Sequence, residues 1–462
     1  DALFDSVGIF VEDGWTAEIA IPFKSLRYPQ RRANEVHRWG FQIARTIESK
    51  DESDVWAPLS RDVAGFLSQM GVLEGMSGLS LSRNLEVMPT VTAVQAGFRD
   101  TKGQFINDNN AEGGANIKYG ITSNLTLDFT YNPDFSQIET DRPQIEVNQR
   151  FPINYPELRP FFLEGQELLN IRGPITPVQT RTIVDPEYGA KLTGKLGRTA
   201  LAFVVANDEA PGKVDDRDDP AFGKKAQIML ARLRHDLYSE SHIGMVVTDR
   251  KFLDGYSRAG GVDGSFRVGR THEVNFLAMR TGNRDLGGVE RSGHIVEAHV
   301  RKQGRNLGYF FGHYQINPDF QTDSGFVRRV DLKTYSTNVS YRWWPESWII
   351  NWGPRVNHRR IYNFDGVLQD AQTGLNLDAR LARNVDLHAS ANRDMERFGG
   401  IDFWKTRFDI GGDVRTSRRI SFGAKVNAGD QILFEDNPYL GSGAGYQFNM
   451  TLRPTFTVSD GH

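Results

Sequence analysis

Two pairs of carboxylates stand close together in the chain, Glu139 with Asp141 and Glu164 with Glu167. Hydrolysis of a glycosidic bond needs two carboxyl groups facing one sugar, an acid and a base or nucleophile. Closeness in sequence does not set them across a substrate, so neither pair is assigned a catalytic role. Asp134, Glu139 and Asp141 offer oxygen ligands to a hard cation such as calcium, but their spacing lacks the full ligand loop. The ten histidines are scattered. His235 and His242 flank a turn, His294 and His299 fall on opposite strand faces, and no zinc-type pair at helical spacing occurs. There is no phosphate loop, dinucleotide fingerprint or nucleophile elbow, and the glycines from Gly255 to Gly260 read as turn glycines. Cysteine is absent, which excludes thiolate nucleophiles, thiolate metal sites and a disulfide framework. These residues assign no catalytic group, no metal and no cofactor.

The elements that would position any site are β-strands. The chain has 462 residues, 46 of them glycine, and 11% aromatic. No run approaches 18 apolar residues, so a transmembrane helix is not expected. A formal charge of -3, from 55 basic and 58 acidic residues, leaves no electrostatic footprint for nucleic acid. The mean hydropathy of -0.47 is polar for a membrane protein, but a β-barrel turns only every second strand residue to lipid. Asp1 opens the chain with no signal-peptide layout behind it, and the sequence reads as a mature or truncated chain.

From about residue 85 onward the dominant signal is period two. In Leu125-Thr-Leu-Asp-Phe-Thr-Tyr131 every odd position is apolar and every even one polar. Ala115-Asn-Ile-Lys-Tyr-Gly-Ile121 precedes it with the same alternation, a hairpin with one greasy and one polar face. Hairpins of this kind recur through residues 188–205, 262–279, 375–391 and 408–426, giving about 18 strands. Tight turns alternate with polar loops at 208–223, 282–291 and 357–373, the layout of an outer-membrane barrel. A soluble sandwich or propeller also alternates, but so many strands should bury a richer core than these glycine- and alanine-diluted faces offer. In a barrel, Lys118, Asp128, Lys191, Arg267, Arg380, Asp386, Asp413 and Lys425 would line the lumen. Trp343, Trp344, Trp348 and Trp352 surround a turn at Pro345-Glu346. They read as part of an aromatic girdle, as sheet packing, or as a sugar-stacking platform.

Residues 133–185 do not alternate. Their prolines (133, 143, 152, 156, 160, 174) bar a paired central strand, while Phe135, Phe151, Tyr155, Phe161 and Phe162 argue against disorder. The segment is expected either to fold across the lumen or mouth as a plug, anchored by Phe151, Arg159, Phe161, Phe162, Leu163 and Glu164, or to be a surface loop pinned by its aromatics. Arg159 and Glu164 are close enough to form a local ion pair.

Residues 1–80 differ in character, with strands at Trp15-Thr-Ala-Glu-Ile-Ala-Ile-Pro-Phe23 and Trp39-Gly-Phe-Gln-Ile-Ala-Arg45 and then Trp56. So few strands cannot bury a core of their own. Trp15, Trp39 and Trp56 read as core or rim residues, or alternatively as carbohydrate contacts. These strings resemble the closing strands of a carbohydrate-binding module family nine-like β-sandwich. Further along, Asn132-Pro-Asp-Phe-Ser-Gln-Ile-Glu-Thr-Asp141, Arg159-Pro-Phe-Phe-Leu-Glu-Gly165, Tyr188-Gly-Ala-Lys-Leu-Thr-Gly194 and Asn317-Pro-Asp-Phe320 with Gly325, Phe326 and Arg328 resemble a bacterial family. In that family such a module precedes an outer-membrane barrel of unknown function.

The resemblance implies an all-β chain: the end of a sandwich over 1–80, then a large antiparallel barrel over 85–462. It also implies a periplasmic module, outer-membrane lipid around the barrel, and carbohydrate binding or catabolism, in places labelled O-glycosyl hydrolysis. No residue here carries that hydrolase label. The chain lacks the sandwich's first half, and its last residues lack the terminal aromatic of such barrels, so the barrel is expected to continue beyond residue 462. The reading taken forward is a barrel that binds or passes a glycan-derived or other small ligand. A glycoside-active envelope enzyme and a purely structural envelope protein are the alternatives.

Overall fold

The computed structural model describes residues 4–452 apart from 13, 24, 25, 27, 29, 30, 33, 48–51, 61, 64, 80–84, 100–102, 104, 123, 134, 136–150, 239, 416–419 and 435–438. The Asp134, Glu139 and Asp141 oxygen cluster lies outside the described residues.

Six short strands come first: β1 (Asp5–Val11), β2 (Gly14–Ala20), β3 (His37–Phe41), β4 (Ala44–Ile47), β5 (Glu52–Val55) and β6 (Gly71–Met76). They pair as three two-stranded antiparallel sheets, β1 with β2, β3 with β6 and β4 with β5.

The wall begins with β7 (Leu85–Arg99), β8 (Phe105–Thr122) and β9 (Leu125–Tyr131). Segment 132–185 intervenes before β10 (Pro186–Leu196), β11 (Thr199–Asp208), β12 (Ala226–Asp236), β13 (His242–Phe252), β14 (Gly255–Val268) and β15 (His272–Arg284). There follow β16 (Glu290–Gln303), β17 (Leu307–Ile316), β18 (Leu332–Tyr341), β19 (Ile349–Tyr362) and β20 (Leu368–Leu381). The last strands are β21 (Val385–Phe398), β22 (Ile401–Val414), β23 (Ile420–Leu433) and β24 (Tyr439–Leu452). All eighteen form one closed sheet in which β24 lies beside β7. The wall therefore needs no strand beyond residue 462, which corrects the expectation of an incomplete barrel.

Strands β19 to β24 have 14 residues each, more than the roughly 9–11 that a tilted strand needs to cross a bilayer. Alternation sets the two faces. On β9, Leu127, Phe129 and Tyr131 are exposed while Asp128 and Thr130 are buried. On β11, Phe203 is exposed while Ala202 and Val204 are buried, and on β20 Leu375 and Leu377 point outward. The exposed set includes Met245, Phe311, Val356, Phe408, Ile410 and Phe422. Large apolar side chains left on the outer face, with Asp128, Thr130, Arg232 and Asp263 buried inside, reverse the patterning of a water-soluble barrel.

Turn chemistry fixes the hairpins. Gly197 and Gly269 take positive φ at the β10–β11 and β14–β15 turns, and Arg383 and Asn384 both do so in the three-residue turn 382–384 between β20 and β21. Two expected loops are shorter than the sequence suggested. Arg284 pairs with Glu290 across β15–β16, and His358 with Thr373 across β19–β20, so the connections shrink to 285–289 and 363–367. Polar residues there continue the ladder and carry no apolar face to announce it.

Antiparallel order puts the long connections 132–185, 209–225 and 317–331 at one end, beside the short turns 253–254 and 399–400, and leaves only short connections at the other, with the start of β7 and the end of β24. The N-terminal region reaches this short-connection end: the Ser68 backbone N–H donates to Glu240 Oε1 at 2.8 Å, in the β12–β13 turn.

Candidate functional site

The site is the inside of the barrel, and its occupant is residues 151–185. Arg159 organises them. It donates through Nε to Glu157 Oε1 at 2.8 Å and through Nη2 to Glu157 Oε2 at 2.7 Å. Its remaining hydrogens reach the carbonyls of Ile183 at 2.5 Å and Thr180 at 2.8 Å, and the Thr180 hydroxyl donates to Glu157 at 2.7 Å. The planar guanidinium lies over Phe162 and Phe135 at 4.4 and 5.1 Å from their ring centroids. One side chain thus ties both ends of the segment around an aromatic pair. Burial pushes the Glu157 carboxyl up, but Arg159 and Thr180 outweigh it and hold the group below the usual carboxylate range.

Pro160 starts the short helix α1 (Pro160–Leu163) at a position where its missing N–H costs nothing. The helix sets Phe161 and Phe162 edge to face at 4.9 Å. Glu164 does not pair with Arg159 as the sequence suggested. It receives Lys118 at 2.6 Å, because Arg159 is already committed to Glu157. Lys191 Nζ donates to the carbonyls of Phe161 at 2.5 Å and Glu164 at 2.7 Å. Lys118, Asp128 and Lys191 are direct cross-strand neighbours on β8, β9 and β10, and Lys191 stands 3.6 Å from Asp128. Three residues read from sequence as lumen-lining therefore form one ladder beneath the segment.

Beyond α1 the segment crosses the lumen. Phe162, Leu169, Ile175, Val178 and Ile183 share one buried cluster with Val204, Leu230, Val246, Leu277, Ile295 and Ile361 of the wall. Only the concave side of a barrel lets one segment share a core with strands from β11 round to β19. Arg250 on β13 donates to the Thr182 carbonyl at 3.1 Å, and the Asp208 carboxylate accepts from the backbone N–H of Val184 and Asp185. The 317–331 connection folds inward as well: Thr176 and Phe326 exchange backbone hydrogen bonds of 3.0 and 2.8 Å, and Phe320 is buried. Gly293 on β16 permits this, since a Cβ there would stand 2.3 Å from the Phe320 nitrogen. Phe151 lies under Arg328 and Arg329, at 5.2 and 5.5 Å.

The filling is one-sided. Glycines aside, the buried residues described on β20 to β24 are Ala371, Asp394, Met395, Phe403 and Ile432. The inner face there keeps its charges open: Arg380 and Arg415 both hold Asp386, at 2.9 and 2.8 Å, and Lys425 holds Asp409 at 3.2 Å. Asp386 pairs with Asp413 across β21–β22. Arg355 and Asp378 meet at 2.6 Å.

The tryptophans are dispersed. Trp15 and Trp56 are exposed; Trp39 packs on Tyr28 and Phe23 at 5.4 and 5.7 Å, and Trp56 meets Phe41 at 5.6 Å. Trp15 lies on β2, Trp39 on β3 and Trp56 just past the end of β5, and no ring contact joins the three among the described residues. Trp343 and Trp352 stack at 4.4 Å beside the β18–β19 turn. Sequence reasoning missed Glu157 and the inward 317–331 connection. The only hint of the first was an acid two residues before an arginine in a proline-rich string.

Residues 83–174 match the model of a family described as a domain of unknown function (DUF5916). The matched stretch holds β7, β8 and β9 together with α1 and Arg159. A solved structure similar to this chain is the crystal structure of Pseudomonas aeruginosa OccK8 (OprE), at 8% sequence identity and a TM-score of 0.30, covering 82% of this chain and 89% of that one. A likeness that loose carries no argument about function. No curated protein matches the chain.

Proposed function

We propose that this chain is an outer-membrane barrel that passes small polar solutes, glycan-derived ones among them, along the open side of its lumen. The observation that carries this reading is the asymmetry of the interior. Residues 151–185 and 317–331 pack against β10 to β19, while the charged inner face of β20 to β24 stays accessible. Cations and carboxylates alternate along that face and neutralise one another, so it offers hydrogen bonds without a single-sign barrier. Short turns lie on the periplasmic side of bacterial barrels, and the Ser68 contact with the β12–β13 turn supports reading residues 1–80 as a periplasmic, carbohydrate-binding-like module. The exposed Trp15 and Trp56 rings are its candidate sugar contacts.

The test joins two measurements on full-length protein from outer-membrane fractions. Heat-modifiable gel mobility reports a closed barrel, and planar-bilayer recordings report passage. The reading expects both a mobility shift and a steady conductance. A protein extracted without detergent, or a shifted band with no conductance, would count against it.

A further inference from the structure

On the outer face at the long-loop end, the apolar surface of β18 to β20 gives way to a basic and aromatic patch. Val339, Val356 and Leu375 are cross-strand neighbours, all exposed, and form the last apolar row that these three strands share. Alternation puts Lys333 and Tyr335 of β18 and His358, Arg360 and Tyr362 of β19 on the same face, since Thr334 and Ile361 between them are buried inward. Arg360 lies directly opposite Tyr335, and Tyr362 opposite Lys333. Arg360 stands about 13 Å along its strand from Val356. Its Nε donates to His358 Nε2 at 3.2 Å, and His358 Nδ1 bonds the Thr373 hydroxyl at 3.0 Å. That contact aims the guanidinium and leaves both its Nη groups without a partner among the described residues. Lys333 lies over the Phe364 ring at 4.5 Å and donates to the Phe364 carbonyl at 3.3 Å. Neither cation has an ion pair among the described residues. The neighbouring acids are occupied: Asp331 accepts the Phe364 N–H at 2.9 Å, Asp365 accepts from Asn363 at 3.4 Å, and Asp370 holds Arg329 on the inner side. On β21, Arg393 is taken up by Thr406 at 2.5 Å and the Trp404 ring at 5.2 Å, which bounds the patch. Tyr335 stacks on His313 at 4.6 Å and is itself exposed, so an aromatic surface lies open beside the cations.

We infer that this patch holds the phosphorylated sugar headgroup of a glycolipid in the outer leaflet of the membrane. Long loops lie on the outer side of bacterial barrels, and the apolar row beneath sets Arg360 and Lys333 at headgroup height. The two Nη groups of Arg360 meet a phosphate in fork geometry, Lys333 adds a second positive charge, and the sugar rests its C–H face on Tyr335. Charge complementarity selects the occupant, because basic clusters at a membrane's edge recognise anionic headgroups. A zwitterionic phospholipid brings a cation of its own to two cations already present. An anionic phospholipid supplies the phosphate but no ring for Tyr335. The patch belongs to the outer wall, so it does not depend on whether solutes pass through the lumen.

Native mass spectrometry of the detergent-solubilised full chain tests it, with bisphosphorylated lipid A, the same lipid stripped of phosphate, and phosphatidylglycerol as probes. Lipid A is expected to bind saturably, and the other two about tenfold or more weakly, the size of one charge-assisted hydrogen bond. Replacing both outward cations, Arg360→Gln with Lys333→Gln, should weaken lipid A by about tenfold or more on the same ground. Lys302→Gln, on the outer face of β16 near the short-connection end, should leave lipid A binding unchanged. Heat-modifiable gel mobility checks that each variant still closes its barrel, and the three-lipid comparison on the wild-type chain stands whether or not a variant folds. No saturable lipid A binding, equal binding of phosphatidylglycerol or of the dephosphorylated lipid, an unaffected double variant, or an equal loss at Lys302 overturns the site.

Discussion

The Glu157 carboxylate is gripped by Arg159, two residues further on, through two hydrogen bonds of 2.8 and 2.7 Å in a setting where the Glu157 side chain is 1% exposed. Removing one partner of a buried pair leaves the other charge stranded, at about 3–5 kcal/mol. Glu157→Ala should therefore release residues 151–185 from the wall while the eighteen-strand sheet stays closed. Limited proteolysis is expected to cut the variant within that segment, and bilayer conductance to rise. Deleting residues 151–163 should raise conductance in the same way. A variant as protease-resistant and as poorly conducting as the wild type would show that Arg159 does not anchor the segment.

The same pair sets a pH dependence. Glu157 sits below the usual carboxylate range when the segment is docked and returns to it on release. Its contribution to docking is complete above the ordinary carboxylate pKa and is lost as pH falls through the lowered value. Protease sensitivity of residues 151–185 should thus stay low from neutral pH down to the ordinary carboxylate range and rise below it. Glu157→Gln should flatten that rise. A wild-type profile that opens on going alkaline would have the wrong sign.

On β9, Leu127 faces outward and Asp128 inward. Leu127→Arg should hinder insertion by about 2–4 kcal/mol if the residue lies near the bilayer midplane. Thr126→Ser, on the inner face, should insert normally. Urea titration of folding into lipid vesicles reads both, and equal tolerance would overturn the assignment of faces.

The wall was legible because lipid outside and water inside impose period two on every strand. Leu375 to Leu381 and Val385 to Ala391 fall on β20 and β21 with their turn at Arg383 and Asn384. Where the ladder rises beyond the apolar band the same alternation has no greasy partner, and 282–291 read as loop although Asn283 and Arg284 are strand residues. The inner segment showed itself through phenylalanines among prolines, which no membrane strand carries. Its ion pairs were not legible. Arg159 chose Glu157 over Glu164 because register brings Lys118 under Glu164 from 46 residues away, a contact that local spacing cannot show. Closure of β24 on β7 is likewise a property of the whole sheet.

The central claim, a lumen filled on one side and open on the other, is tested most directly by blocking it from within. The chain has no cysteine, so an introduced one is the sole target for a bulky thiol reagent. Lys425→Cys lies on the open wall of β23, where the Lys425 side chain is 45% exposed, and Val204→Cys on the filled wall of β11, where Val204 is 0% exposed. Single-channel current through the Lys425→Cys barrel should fall when the reagent is added, and current through the Val204→Cys barrel should not change. Block at position 204 with none at 425 would contradict the account.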